Sequence, residues 1–347
     1  MTPAQTTIAP PQKTPPPPRG NERAHPARRI LASQPFVLLV VLVAMIVLFT
    51  ALNAKFFSLG VFGNILVDWA PVALIAIGQT YVIVSGGIDL SVGSTLTVSG
   101  VVAAFAMQAA TGSGVSDGLS IFIGIVVAAG VGLLVGLINA FLINVAKLVP
   151  FIATLVTLGA GAGIALVLTR GGPVAGGPPS AISLSVPWLG PLSWPGICVI
   201  VIVVIAGLVL HKARLGRYVF AIGGNEFSAK AVGINVHVQI AKVYALSGLL
   251  AGLAGMVVYL TLGSGSPSAG AGEELLAIAA VVIGGASLSG GTGRMSGTVL
   301  GSLILTTVTS GLIIINIDPN WNQVVVAVLI AAAVALQTLR NTKGKKV

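Results

Sequence analysis

The chain is short of charge. Only 7% of its 347 residues are Asp, Glu, Lys or Arg, against roughly 25% in soluble domains, and a surface so poor in charge cannot face water. A soluble enzyme and a disordered regulator are therefore excluded. Cysteine is almost absent. The single Cys198 lies in an apolar run, so no intrachain disulfide or cysteine metal site exists, and a small buried hydrophobe is expected there. No Gly-x-x-x-x-Gly-Lys-Ser/Thr stretch occurs, so the chain has no phosphate-binding loop of its own. The three histidines, His25, His211 and His237, are scattered through tail, span edge and loop. They form neither a catalytic constellation nor a metal cluster, and solvation is expected for each. No catalytic residue, metal ligand or bound cofactor is expected in this chain.

What the sequence has is apolar length: 55% apolar residues and a mean hydropathy of +1.03. The runs are continuous rather than alternating, which excludes a transmembrane β-barrel. The fold class is an all-α polytopic membrane protein of about ten spans. They are read at 36–54, 69–84, 92–110, 119–145, 150–169, 195–210, 243–262, 275–290, 296–316 and 321–339. Residues 1–35, with Pro15 to Pro18 and four arginines, read as a disordered basic tail, and 340–347 as a basic C-terminal tail. The span at Phe36 to Ala54 is longer than a signal-peptide core and reads as a start-transfer segment.

Charge sets the orientation. With the N-terminal tail in the cytoplasm, 16 of the 18 basic residues fall on inside segments, and only Lys55 and Arg170 fall outside. This bias places both termini in the cytoplasm. The net charge of +10 then reports topology and affinity for anionic lipid rather than nucleic acid. Small residues recur every four positions at Gly124, Ala128, Gly132, Gly136 and Ala140, and in the pairs Gly159/Gly163, Gly248/Gly252 and Gly297/Gly301. That spacing predicts close helix packing.

Two glycine-rich segments break the apolar pattern, 85–94 and 284–294. Both fit Gly-Gly-x-x-Leu-Ser-x-Gly, which raises an internal repeat. Glycine pairs end or bend helices, and such breaks occur where transporters bind or gate. Gly86, Gly87, Asp89 and Ser91 in the first, and Gly284, Gly285 and Ser287 in the second, are candidate pathway or gate residues. So is Gln79, just before the first break. Asp89 is expected to be the N-cap of the following span, to gate the pathway, or both. The other polar residues within spans, among them Asn139, Thr154 and Thr157, are expected to bond between helices.

Residues 211–242 form the longest polar loop after the tail. Asn225 is placed to cap a short helix from Glu226 to about Val232, with Gly233 as its stop. Phe227, Ala231 and Ile234 fall on one face. A short amphipathic helix on the cytoplasmic surface favours a protein partner over lipid.

At these residues the chain resembles the permease subunits of bacterial ATP-binding-cassette sugar importers of the ribose, xylose and galactoside type. The resemblance is carried by SGGIDLSVG at 85–93, GRYVFAIGGNEFSAKAVGI at 216–234 and ELLAIAAVVIGGASLSGGTGRMSGTVLG at 274–301. It spans roughly residues 30 to 340 and leaves out the proline-rich tail. It implies a type II-like importer bundle and a second permease copy, as homodimer or heterodimer. It also implies a periplasmic solute-binding protein and a separate cytoplasmic ATPase that uses ATP. On that resemblance Gly224, Asn225, Glu226, Ala229 and Gly233 belong to the coupling helix. The family often carries an acid where this chain has Leu276. The mechanism implied is alternating access for a monosaccharide entering at outer loops 55–68, 170–194 and 263–274. A permease for another small polar solute (polyol, nucleoside, amino acid) is the alternative. An ion-coupled transporter is disfavoured, because the acids are read at span ends.

Overall fold

The computed structural model describes residues 34–318 and a few positions between 321 and 331. The tails at 1–33 and 340–347 and most of the span read at 321–339 lie outside the described residues. Eight described helices are long and apolar enough to cross a membrane. In chain order they are α1 (Gln34–Leu52), α2 (Leu59–Val84), α3 (Val92–Gly112), α4 (Asp117–Asn144), α5 (Pro150–Thr169), α6 (Trp194–Lys212), α9 (Val236–Leu262) and α11 (Met295–Ile314). Between them lie α7 (Arg214–Gly224), α8 (Glu226–Ala231) and α10 (Glu273–Ile283).

The outward faces of α1, α4, α5 and α6 expose Val, Leu, Ile and Phe in quantity. Such faces suit lipid and would not be soluble in water. Cys198 shares that surface and is exposed rather than buried, because its turn of α6 faces outward. The enclosed centre is built from α2, α3, α9 and α11. There α4 and α9 approach closely along the predicted small-residue stripe. A methyl group placed on Gly132 would come 2.7 Å from the Gly252 Cα, and one on Gly248 would come 2.7 Å from the Gly136 nitrogen. Gly297 and Gly301 of α11 likewise lie against Ala280 of α10 and Gly284, which follows it. The α5 pair differs: Gly159 and Gly163 have nothing packed against them within the chain, because the face they share points outward.

Three boundaries depart from the sequence reading. Helix α2 begins at Leu59, not at 69. Asn64 and Asp68 read as loop but lie exposed on its surface, and the helix continues through Pro71. Asp68 therefore lies well inside a spanning helix instead of at its end. Helix α9 starts at Val236, absorbing the end of the polar loop, with Asn235 capping it through a bond from the Val238 N–H. Third, the span read at 275–290 is the eleven-residue α10. At 1.5 Å per residue it is about 16 Å long, half a bilayer core. The chain reaches α10 by descending beside α3. Gly265 pairs with Val174, and further down the Gly270 N–H donates to Thr97 Oγ1 at 2.9 Å. Loop 263–272 is therefore tucked into the bundle, not spread over its outer face.

Candidate functional site

Helices α2 and α10 end in the same way. Gly86 has φ +89° and Gly285 has φ +90°. In each case the next N–H returns to a carbonyl of the last turn, Gly87 to Val82 at 2.9 Å and Ala286 to Val281 at 3.1 Å. This is the Schellman stop, in which a left-handed residue satisfies the helix-end carbonyls. The two stops equate Gly86 with Gly285, whereas the shared sequence pattern equates Gly86 with Gly284. The chain then diverges: α3 restarts at Val92, while α11 waits until Met295.

The breaks touch. The Gly291 N–H donates to the Val84 carbonyl at 2.9 Å, joining the second break to the end of α2. Gly223, near the end of α7, fits between them. A methyl group there would come 2.6 Å from the Gly291 nitrogen and collide with the Val84 carbonyl, and one on Gly290 would come 3.0 Å from the Gly86 Cα. Absent side chains thus let three backbones meet: both interrupted helices and the polar cytoplasmic loop. Gly284 is packed on Gly297, and the Ser287 N–H closes the second loop on the Thr292 carbonyl at 3.0 Å. Gly223, Gly290 and Gly291 lie within the motifs quoted above, where residue type alone signals no role for them.

Asp89 is fully buried. Its carboxylate accepts from the Ser91 N–H (2.9 Å) and the Ser91 hydroxyl (2.6 Å), and on its other oxygen from Ser247 of α9 (2.8 Å). The N-cap position of α3 belongs to Ser91, not Asp89; Asp89 acts one step upstream by taking the Ser91 N–H. From Ser91 the network runs to Asn139 of α4 (2.8 Å) and on to Thr157 of α5 (2.6 Å). Thr154 donates to the Ile88 carbonyl at 3.2 Å. The Gln79 amide, turned so that both its groups are satisfied, donates to the Asp89 carbonyl at 3.1 Å and accepts its N–H at 3.3 Å. Irregular backbone inside a bilayer needs such partners, and here five helices supply them. Gly87 lies under Tyr244 of α9, whose hydroxyl is enclosed without a partner. Ser247 was not anticipated; one serine beside a glycine in an apolar run carries no signal of its own.

The cytoplasmic helix α8 forms as expected. Asn225 Oδ1 accepts the Ser228 N–H at 2.8 Å, Glu226 pairs with Lys230 at 2.6 Å, and Gly233 takes φ +84°. Its faces are arranged differently from the expectation. Ala229 is the buried residue, packed with Ile222, Val236 and Ile234. Phe227 and Val232 point away, 83% and 77% exposed. The predicted Phe227–Ala231–Ile234 face is split because the chain turns at Gly233 before Ile234. Gly224 is exposed at the joint between α7 and α8.

Among the described residues no group of three or more His, Cys, Asp or Glu side chains is placed to hold a metal. One cavity of about 310 Å³ opens between α2, α9, α10 and α11. Its walls include no residue of either break.

Sequence comparison places this geometry among transport proteins. The family described as branched-chain amino acid transport system / permease component matches residues 61–334. The chain is 39% identical over 308 residues to the ribose import permease of Escherichia coli K12, covering 87% of this chain and 93% of that protein. To the ribose import permease of Bacillus subtilis 168 it is 40% identical over 310 residues, covering 88% and 92%. To the D-allose transport system permease of Escherichia coli K12 it is 37% identical over 305 residues, covering 88% and 90%. No solved structure matches the chain. A polytopic helical bundle with two interrupted helices, matched across most of its length, belongs to the branched-chain amino acid transport system permease family: it is a transport subunit of the membrane, not an enzyme.

Proposed function

We propose that this chain is the permease of an ATP-binding-cassette importer that moves a monosaccharide into the cytoplasm by alternating access. Sugar permeases at 37–40% identity support the solute class. The observation that carries the mechanism is the meeting of Gly223 with Val84 and Gly291. A push on α8 reaches α7 through one residue, Asn225, and α7 ends against both interrupted helices.

The partners follow from the exposed groups. Phe227 and Val232 stand on a helix held by an Asn cap and an ion pair. They are offered to a separate cytoplasmic ATPase, which binds and hydrolyses ATP; Gly224, Asn225, Glu226, Ala229 and Gly233 shape that contact. A periplasmic binding protein delivers the solute to the opposite face, and a second permease copy completes the pathway. Both termini lie in the cytoplasm. Gln79, Gly86, Gly87, Asp89, Ser91, Gly284, Gly285 and Ser287 act as the gate, through hinge motion of the two breaks.

Glu226→Arg tests the coupling contact. It breaks the pair with Lys230 and reverses the charge beside the helix N-terminus, leaving the buried Ala229 side untouched. Folded permease is expected in the membrane, with the ATPase lost on co-purification. Normal ATPase stoichiometry with this variant refutes the assignment.

A further inference from the structure

The cavity between α2, α9, α10 and α11 has a chemistry that the gate residues lack. Asp68 of α2 and Glu273 of α10 line it, and the Glu273 Oε2 atom is enclosed with no hydrogen-bond partner. A buried acceptor left unpaired is costly. Thr261 and Thr306 also line it. Their hydroxyls donate to the Val257 and Ser302 carbonyls, at 3.1 Å and 3.0 Å. Among the described residues the lining includes no Lys, Arg, His, Asn or Gln. The polar lining is therefore two acids and threonine hydroxyls, with no cation among them. Pro71, Val72 and Leu276 add aliphatic surface beside the acids, on the same two helices; Leu276 is the position where the resembling family often carries an acid.

A lining of acids and hydroxyls without a cation selects a neutral solute rich in hydroxyl groups. A polyol satisfies it: the acids bond its hydroxyl groups, and the C–H faces of the ring meet Pro71, Val72 and Leu276. The 310 Å³ volume equals that of about ten liquid waters, room for one sugar ring. Carboxylates and phosphates are rejected, because they would face Asp68 and Glu273 without a cation. That rejection includes the carboxylate of an amino acid, despite the family's description. From these observations we infer that this cavity is the station where the permease holds its solute in transit. It takes one neutral, polyhydroxylated small molecule, with Asp68 and Glu273 as hydroxyl acceptors. The inference rests on the sugar-importer reading above and names the binding site within it.

The test uses the full complex, permease with its ATPase and binding protein, in proteoliposomes supplied with ATP. The probes are labelled D-ribose, D-allose and D-galactose. If the wild type takes up none of them, the sugar-importer reading itself fails. If it takes up at least one, Asp68→Asn and Glu273→Gln are each expected to lower that uptake about tenfold, the equivalent of about 1.4 kcal/mol. ATPase association and hydrolysis stimulated by the loaded binding protein should stay near wild type. Thr261→Cys in a Cys198→Ser background provides a readout that does not depend on the carboxylate variants folding. Thr261 is exposed, and its alkylation by an impermeant maleimide should slow severalfold in the transported sugar but not in L-leucine. Normal uptake by both carboxylate variants overturns the inference. So does alkylation that the sugar leaves unchanged or that leucine slows.

Discussion

Gly130 and Gly132 are two residues apart on α4, yet alanine should act on them in opposite directions. Gly132 faces α9: its added methyl would lie 2.7 Å from the Gly252 Cα, 2.8 Å from the Gly252 nitrogen and closer still to the Gly248 carbonyl. These are backbone atoms, so no rotamer change relieves the clash. The two helices must move apart by roughly 1 Å, and overpacking of this kind costs about 1–3 kcal/mol. The weak Cα–H···O contacts along the seam, about 0.5–1 kcal/mol each, are lost as well. Gly130 has nothing within 4 Å, so alanine there adds only helix propensity, a gain of about 0.5–1 kcal/mol. The pair should thus differ by about 2–4 kcal/mol. The assay is the fraction of monodisperse permease left after graded heating in detergent, read by size-exclusion chromatography. Gly132→Ala should fall well below wild type, and Gly130→Ala should match or exceed it. Equal midpoints for the two variants would refute the claim that backbone contact, rather than glycine content, holds α4 to α9.

Two further outcomes follow from the breaks. Asp89→Ala strands the Ser91 and Ser247 donors, at about 1–3 kcal/mol each, and should reduce sugar uptake more than membrane abundance; equal losses on a quantitative blot would leave Asp89 a purely structural anchor. Gly223→Ala drives a methyl group into the Val84 carbonyl and the Gly291 nitrogen. It should leave the ATPase bound while the number of sugars moved per ATP falls severalfold, and an unchanged ratio would show that the glycine junction does not carry the coupling.

Much of this was legible in the sequence where one property repeats at a fixed period. The Gly124–Ala140 stripe and the Gly248/Gly252 pair were legible because a four-residue spacing keeps small groups on one helix face. Asn225 and Gly233 bracketed α8 because caps are local chemistry. Periodicity does not say whether a neighbour is present, and so Gly159/Gly163 resembled the other pairs while packing on nothing in the chain. Asp68 read as loop because it breaks an apolar run, although a long helix carries it. The cavity was not legible at all: it brings Asp68, Thr261, Glu273 and Thr306 together from four helices, and no local pattern records that convergence.

The half-length α10 also constrains how the protein is made. Eleven residues are too few to enter the bilayer as an independent segment, and the loops at either end carry peptide groups that lipid cannot solvate. Residues 263–294 therefore have no stable resting place until α2 and α3 are present to receive them and α11 emerges to close against Gly284. The stretch that bears the second break is committed late, by docking onto a finished wall instead of by its own hydrophobicity. Substitutions on that wall, such as at Gly93 or Thr97 where the descending loop rests, would then appear first as failed biogenesis and only second as failed transport.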